Sequence, residues 1–175
     1  MRKGCLLLKK MFYTIIVITF LLVNALPPQS ISATSNNLKT PPSWTIMVYL
    51  AADNDLDYYS ELDIEEMKTV GSTPNVNIVV LWDRWDEPAR TYKVNKGGLE
   101  ELNDSRLNRE EPNMGDAKTL KEFLAYSIKK FKADHYVLVL WDHGDDFRGF
   151  GWDYHTGGQE EVDFLTHQEI GEALQ

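Results

Sequence analysis

The side chains best suited to chemistry in this sequence follow an apolar segment. In "HYVLVLWDHGDDFRG", the apolar run ends at Trp141, and His143 and Gly144 come directly after Asp142. An imidazole can take up and release protons near neutral pH. A glycine N–H can approach a substrate carbonyl closely and stabilise an oxyanion. We therefore predict His143 as general base and acid and Gly144 as oxyanion donor.

This pair alone leaves a structural role open, because histidine followed by glycine is common at strand ends. The other histidines give weaker signals. His135 begins the same apolar run and is expected to be a structural or surface residue. His155 and His167 lie in polar surroundings without a partner at an informative spacing.

The acidic residues of the loop around His143 suit a second function, which is metal binding. Its oxygen and nitrogen donors are Asp142, His143, Asp145, Asp146, Asp153 and His155. Carboxylate oxygens suit Ca²⁺, and a transition metal is a weaker alternative. No His-x-x-x-His spacing supports zinc. The sequence thus predicts either a Ca²⁺ site with Asp145, Asp146 and Asp153 as ligands or a solvated acidic loop.

Three short apolar runs are expected to position these groups. They are "WTIMVYLAADND" (44–55), "VNIVVLWD" (76–83) and "HYVLVLW" (135–141). Runs that are apolar throughout are typical of strands covered on both faces in a parallel sheet. The carboxyl ends of parallel strands share one edge of the sheet. We therefore expect Asp53 and Asp55, then Asp83 and Arg84, to lie near His143.

Amphipathic segments separate these strands. In residues 56–70 a stripe of Tyr59, Leu62, Met67 and Val70 predicts a helix that ends at Gly71. A second helix is predicted after the N-cap Asp116, with an apolar face of Leu120, Phe123, Leu124, Ile128 and Phe131. The capping-box spacing of Thr166 and Glu169 predicts a third helix from about residue 167.

Two segments between the first and second helices lack a helical period. Residues 89–98, "ARTYKVNKGG", alternate polar and apolar side chains and predict an edge strand or half of a hairpin. Residues 99–115 predict a charged loop. Strands that alternate with helices predict an α/β layered domain with a largely parallel sheet. A helix that begins just before Gln175, with no strand after it, suggests a domain that is incomplete at its C-terminus.

The N-terminal segment has the composition of an export signal. A basic start is followed by an apolar run at 11–26, then Pro27-Pro28 and small residues that favour cleavage after Ala33. An uncleaved membrane anchor is the alternative. Either predicts a secreted or cell-surface protein, with residues 1–33 as the signal, 34–43 as a linker and 44–175 as the domain.

Charge and cysteine content exclude several classes of function. The formal net charge is −9, and it falls to −13 without residues 1–33, which carry four basic and no acidic residues. Such a chain is unsuited to nucleic acid or anionic lipid, whereas a cationic substrate is compatible with it. The single cysteine, Cys5, lies in the signal, so the predicted domain has no thiol and no disulfide.

Several blocks of the chain, in order, resemble the clostripain family of cysteine peptidases in the caspase-like clan. They are "WTIMVYLAADNDLD", "NMGDAKTLKEFL" and "ADHYVLVLWDHGDDFRG". The resemblance implies a three-layer α/β/α caspase-like sandwich and a Cys–His dyad whose histidine and following glycine map onto His143 and Gly144. It further implies cleavage of peptides or proteins after Arg or Lys. The chemistry needs no cofactor, although some members of the family require Ca²⁺, and some are activated by internal cleavage.

The sequence departs from this family pattern at the nucleophile. The family's cysteine lies on a later strand, in an Asp-x-Cys block, and this sequence reaches Gln175 without such a block. We therefore expect a truncated peptidase that is inactive alone, has an open sheet edge and takes its own missing C-terminal part as a partner. Alternatives are a non-catalytic binding or regulatory module that retains the fold and, less favoured, a metal-dependent hydrolase.

Overall fold

The computed structural model describes residues 43–156 and 162–175. The predicted signal and most of the predicted linker lie outside the described residues. The described elements are β1 (Trp44–Ala52), α1 (Asp57–Val70), β2 (Val76–Arg84), β3 (Glu87–Asn95), β4 (Gly98–Glu101), α2 (Ala117–Lys130), β5 (His135–Trp141), β6 (Gly144–Asp145), β7 (Gly149–Asp153), β8 (Asp163–Thr166) and α3 (His167–Ala173). Among the described helices, none has the length and apolar character needed to span a bilayer.

The main sheet has five strands in the order β4-β3-β2-β1-β5. β1 pairs in parallel with both β2 and β5, each of which is reached through a helical connection. This confirms the predicted parallel centre of the sheet. β3 and β4 continue the sheet in antiparallel orientation as a hairpin. Residues 89–98 thus supply half of a hairpin, and the predicted charged loop is wrong at residues 99–101, which belong to β4.

Helices cover both faces of this sheet and make three layers. Successive side chains of a strand point to opposite faces. Tyr49 of β1 therefore packs in a core with Phe123 of α2, while Leu50 packs on the other face with Ile64 of α1. This α/β/α arrangement agrees with the predicted fold class.

The buried face of α1 differs from the predicted stripe. Tyr59, Leu62 and Val70 are exposed, and the buried residues of the helix are Ser60 and Ile64. Ser60 turns inward because its hydroxyl accepts a hydrogen bond of 2.8 Å from the indole Nε1 of Trp82. The spacing of apolar residues missed this polar anchor. The end of the helix is as predicted, since it is followed by Gly71 with φ 66°.

β5 is less buried than its apolar sequence predicts. It lies at the edge of the main sheet, where Tyr136 and Val139 keep 38% and 36% of their surface exposed. Within the described residues only β1 pairs with it, so one side of the strand remains without a covering strand. In α2, Asp116 caps the helix by accepting from the N–H of Lys118, as predicted, but Ile128 is exposed.

The loop after β5 contains strands that the sequence pattern missed. β6, β7 and β8 form a separate antiparallel sheet in that order, which we call the small sheet. Its strands have two to five residues, too few for an alternating pattern to be recognised. α3 follows β8 directly, and the predicted capping box is present, with Thr166 and Glu169 bonded reciprocally.

Candidate active site

The ends of the three parallel strands lie at one edge of the sheet, as predicted. Leu50 of β1 is level with Trp141 of β5, and Ala51 is level with Asp83 of β2. Asp53 and Asp142, which follow β1 and β5 directly, therefore lie at the same edge of the sheet as Asp83. Of these residues, Asp142 bonds to the backbone of His143 and Asp55 to its ring, whereas Asp83 is buried and Arg84 pairs with Asp57, Glu61 and Glu87.

The ring of His143 is accessible at this edge. Its side chain keeps 42% of its surface exposed, so it is not enclosed in the core. The backbone on either side is held, because the His143 carbonyl accepts from the N–H of Gly151 at 3.2 Å and the His143 N–H donates to Asp142. The imidazole therefore stands on a fixed backbone with solvent access.

Asp55 orients this imidazole. Its Oδ1 lies 2.9 Å from Nε2 of His143. An ionised carboxylate only accepts hydrogen bonds, so Nε2 is the protonated nitrogen in the neutral ring. This leaves Nδ1 as the atom that can accept a proton. Asp55 itself is largely exposed.

Asn54 is a positioning residue that the sequence analysis missed. Its buried amide nitrogen donates to Asp142 Oδ1 at 2.9 Å and to the Trp152 carbonyl at 2.8 Å. The oxygen of the same side-chain amide, Oδ1, accepts a hydrogen bond of 2.8 Å from the N–H of Leu56. One side chain thus joins the ends of β1 and β5 to β7. The only signal in the sequence was its position directly after an apolar strand.

Asp142 sits between Asn54 and His143 in a partly buried position. Its Oδ1 accepts the bonds from both neighbours, whereas its Oδ2 is buried without a hydrogen-bond partner. Burial raises the pKa of this carboxyl from its usual 3.8 to about 6, although the backbone N–H of His143 opposes the shift. Asp142 therefore acts as a backbone anchor for the loop that carries His143.

Gly144 does not need the conformational freedom of glycine. The described glycines with positive φ are Gly71, Gly97 and Gly151. A Cβ at Gly144 would meet nothing closer than the Cδ2 of Phe150 at 3.7 Å, an ordinary contact. The residue is exposed beside His143, at the start of β6. Its role as an oxyanion donor remains a prediction.

The other histidines divide into two groups. His155, for which the sequence spacing indicated no partner, contacts a distant residue, because its Nδ1 lies 2.7 Å from Oδ1 of the buried Asp53. That bond raises the pKa of His155 above its usual value. His135 is exposed, with its ring 4.4 Å from that of Trp44. His167 is exposed at the start of α3.

The three predicted Ca²⁺ ligands are not brought together. Asp145 pairs with Arg148 and lies opposite Gly149, the first residue of β7, while Asp153 is the last residue of that strand. Four residues of extended chain separate the two positions by about 13 Å. Asp146 is exposed. Asp153 is instead buried with Asp53 and Glu111, whose carboxylate oxygens lie within 4.8 Å of one another.

The chain as a whole is similar to a known family of proteins. The model of the clostripain family matches residues 48–175. Clostripain of Hathewaya histolytica is 35% identical over 141 residues, which cover 69% of this chain and 27% of that protein. The chain therefore spans about a quarter of this curated relative.

Solved structures agree on the fold. A secreted C11 cysteine protease from Bacteroides thetaiotaomicron, solved with an irreversible peptide inhibitor, matches with a TM-score of 0.61 and 24% identity over 75% of this chain and 38% of that one. A B. fragilis cysteine protease matches with a TM-score of 0.51 and 29% identity, over 60% of this chain and 92% of that one.

Proposed function

Because the chain belongs to the clostripain family, we propose that it carries the histidine half of the catalytic dyad of an exported cysteine endopeptidase. The observation that supports this most directly is the accessible ring of His143, held by Asp55 at the carboxyl edge of the parallel strands. Catalytic groups collect at this edge in open α/β sheets. The relative and the structures that match are peptidases.

The proposed chemistry is acyl transfer through a thiolate. His143 takes the proton of the cysteine thiol, and the sulfur attacks the peptide carbonyl carbon. The resulting oxyanion accepts a hydrogen bond from the N–H of Gly144. His143 then gives its proton to the leaving amine, and water hydrolyses the thioester with the same histidine as base. Further residues of the intact protein supply the thiol in this proposal, since Cys5 lies in the predicted signal.

The exposed edge of β5 supports the proposal that further residues of the intact protein supply the thiol. A strand that carried the cysteine would add beside β5, next to His143. It would cover the side chains of Tyr136 and Val139, which are unusually exposed for apolar residues of a strand. Ile128 of α2, which lines the same surface depression as Tyr136, is exposed as well. Unpaired strand edges readily accept another strand. Further residues of the same protein are therefore the partner that we propose for this edge.

We propose a substrate with Arg or Lys before the cleaved bond. The chain is acidic overall, with a formal net charge of −9. Acidic surroundings attract a cationic side chain. The export signal belongs to the same proposal, because residues 1–33 have its composition and one matching structure is of a secreted protease.

The function is tested on the intact protein with three matched fluorogenic peptides that end in Arg, Lys or Gln before the reporter. We expect hydrolysis of the Arg and Lys peptides, little of the Gln peptide, and complete inactivation by iodoacetamide. No hydrolysis by the purified, folded protein would favour a non-catalytic module. Hydrolysis that survives iodoacetamide but is lost with a chelator would favour a metal-dependent hydrolase.

Asp55→Ala is expected to lower kcat about tenfold, with little change in KM, because the imidazole loses the acceptor that fixes its orientation. Asp55→Asn keeps an oxygen at the same place, so it should recover most of the lost rate. Steady-state kinetics of the two variants of the intact protein measure this split. Equal loss in both variants, or a rise in KM alone, would contradict a positioning role for Asp55.

A further inference from the structure

Three aromatic rings lie together at the carboxyl edge of the main sheet, on the β2 side of β1. They belong to Trp85, Tyr154 and His155, which we call the aromatic cluster. The ring of Trp85 lies 4.8 Å from that of His155 and 6.0 Å from that of Tyr154, with interplanar angles of 85° and 68°. Edge-to-face contacts of this kind are favourable between aromatic rings. The three side chains therefore pack as one unit.

Trp85 stands directly after the end of β2 and is open to solvent. Arg84, the last residue of β2, is level with Ala52 of β1, so Trp85 is level with Asp53. Although its ring packs against two others, Trp85 keeps 41% of its surface exposed. Tryptophan offers a large apolar surface, and it is enriched where proteins contact other molecules. The exposed part of this indole is therefore suited to bind an apolar group.

Tyr154 and His155 are held against the end of β1. The N–H of Tyr154 donates to the carbonyl of Asp53 at 3.1 Å, and the N–H of His155 donates to Oδ2 of Asp53 at 2.6 Å. Asp53 is buried and lies two residues before Asp55, which bonds to the ring of His143. The aromatic cluster and the imidazole are therefore supported by the same short turn.

The order of the strands determines which part of a peptide would reach the aromatic cluster. The strand proposed to carry the thiol adds to the open side of β5, away from β1. The edge then presents the thiol first, His143 next, and the ends of β1 and β2 after that. His143 gives its proton to the leaving amine, so the leaving part of the substrate lies on the His143 side of the thiol. That part would extend across the ends of β1 and β2.

The distance along the edge indicates which substrate residue meets Trp85. Neighbouring strands are about 4.8 Å apart, so the ends of β5 and β2, with β1 between them, are separated by about 10 Å. An extended peptide advances about 3.3 Å per residue, so about three residues cover this separation. The side chain of the second or third residue after the cleaved bond is therefore the one within reach of the indole.

We propose that Trp85, supported by Tyr154 and His155, determines specificity on the leaving side of the substrate, an assignment that rests on the proposed peptidase function. It binds an aromatic or large aliphatic side chain of the second or third residue after the cleaved bond. Such a side chain can stack on the exposed indole and remove apolar surface from water.

A cationic side chain is the other partner that an indole attracts. His155 already lies in this role, because its ring is 4.8 Å from that of Trp85 and its pKa is raised by the hydrogen bond to Asp53. The surface of the indole that remains exposed therefore suits an uncharged side chain better than Lys or Arg.

The test uses the intact protein and internally quenched peptides with Arg before the cleaved bond. One peptide has Gly at both the second and the third residue after that bond, two have Phe at one of these positions, and two have Lys there instead. We expect kcat/KM to be about tenfold higher for at least one Phe peptide than for the Gly peptide, with no such gain for the Lys peptides. Steady-state kinetics measure these ratios.

Matched variants assign the preference to the cluster. Trp85→Ala should reduce the preference for Phe over Gly from about tenfold to below about twofold, whereas Trp85→Phe, which keeps an aromatic ring, should retain most of it. Trp44→Ala is the control, because Trp44 is also exposed and its ring lies 4.4 Å from that of His135, at the opposite edge of the sheet. It should keep the preference of the wild type.

The outcomes distinguish a failure of the subsite from a failure of the proposed function. Hydrolysis of the short Arg peptide with equal kcat/KM for the Phe and Gly peptides would overturn the subsite alone. A preference that survives in Trp85→Ala, a preference that Trp44→Ala also loses, or a larger gain for Lys than for Phe would overturn it as well. No hydrolysis of any peptide would overturn the proposed function, and the subsite with it.

Discussion

His143→Ala in the intact protein is expected to lower kcat/KM for Arg and Lys peptides by about 10³-fold or more, because proton transfer by a positioned side chain is worth about 10²–10⁴-fold. The loss should fall on kcat, since the ring is exposed and does not bury substrate surface by itself. Steady-state kinetics with the Arg peptide measure it. The alanine removes both the base that ionises the thiol and the acid that protonates the leaving amine.

The matched control is His135→Ala, which changes a histidine at the opposite end of the same strand. Its exposed ring lies against Trp44, far from the carboxyl edge, so activity should remain at the wild-type level. Equal loss in both variants would indicate a general structural effect. Full activity of His143→Ala would remove the basis of the proposed dyad, whatever the family membership of the chain.

The sequence predicted the central strands and the position of His143 because these depend on local patterns. Continuous apolar runs define β1, β2 and β5, and the carboxyl ends of parallel strands must meet at one edge. Capping residues such as Asp116 and Thr166 fixed the starts of α2 and α3 for the same reason. Each of these signals lies within a few consecutive residues.

The buried cluster of Asp53, Glu111 and Asp153 could not be predicted in this way. Glu111 comes from a loop with no periodic pattern, and Asp153 is separated from Asp53 by 100 residues of sequence. The sequence predicts a metal site in the acidic loop after His143 because the carboxylates of that loop are close in sequence. β7 instead carries Asp153 away from Asp145, and only the pairing of the small sheet determines that separation.

The partners of Asn54 and His155 could not be predicted from the sequence either. Asn54 donates to Asp142, 88 residues later, and His155 contacts Asp53, 102 residues earlier. No spacing rule reports such contacts. They arise because the small sheet folds back over the ends of β1 and β5. The small sheet is therefore a structural support of the candidate active site, which leads to a prediction about its packing.

Gly149→Ala is expected to lower the free energy of unfolding by about 3 kcal/mol, the upper end of the usual cost of overpacking. A Cβ at this buried position would lie 1.9 Å from the carbonyl oxygen of Leu165 and 2.8 Å from its carbonyl carbon. These are backbone atoms of β8, so β7 and β8 would have to separate. Urea denaturation of the intact protein, monitored by tryptophan fluorescence, measures the change in the free energy of unfolding.

Gly171→Ala provides the control, because a Cβ there meets nothing within 4 Å and the residue lies inside α3. Replacing a helical glycine by alanine usually stabilises by about 0.5–1 kcal/mol, so this variant should be as stable as the wild type or more so. Since β7 also supplies the Trp152 carbonyl that Asn54 binds, Gly149→Ala should lower peptidase activity even below the unfolding transition. A stable and fully active Gly149→Ala protein would show that the small sheet does not position the site.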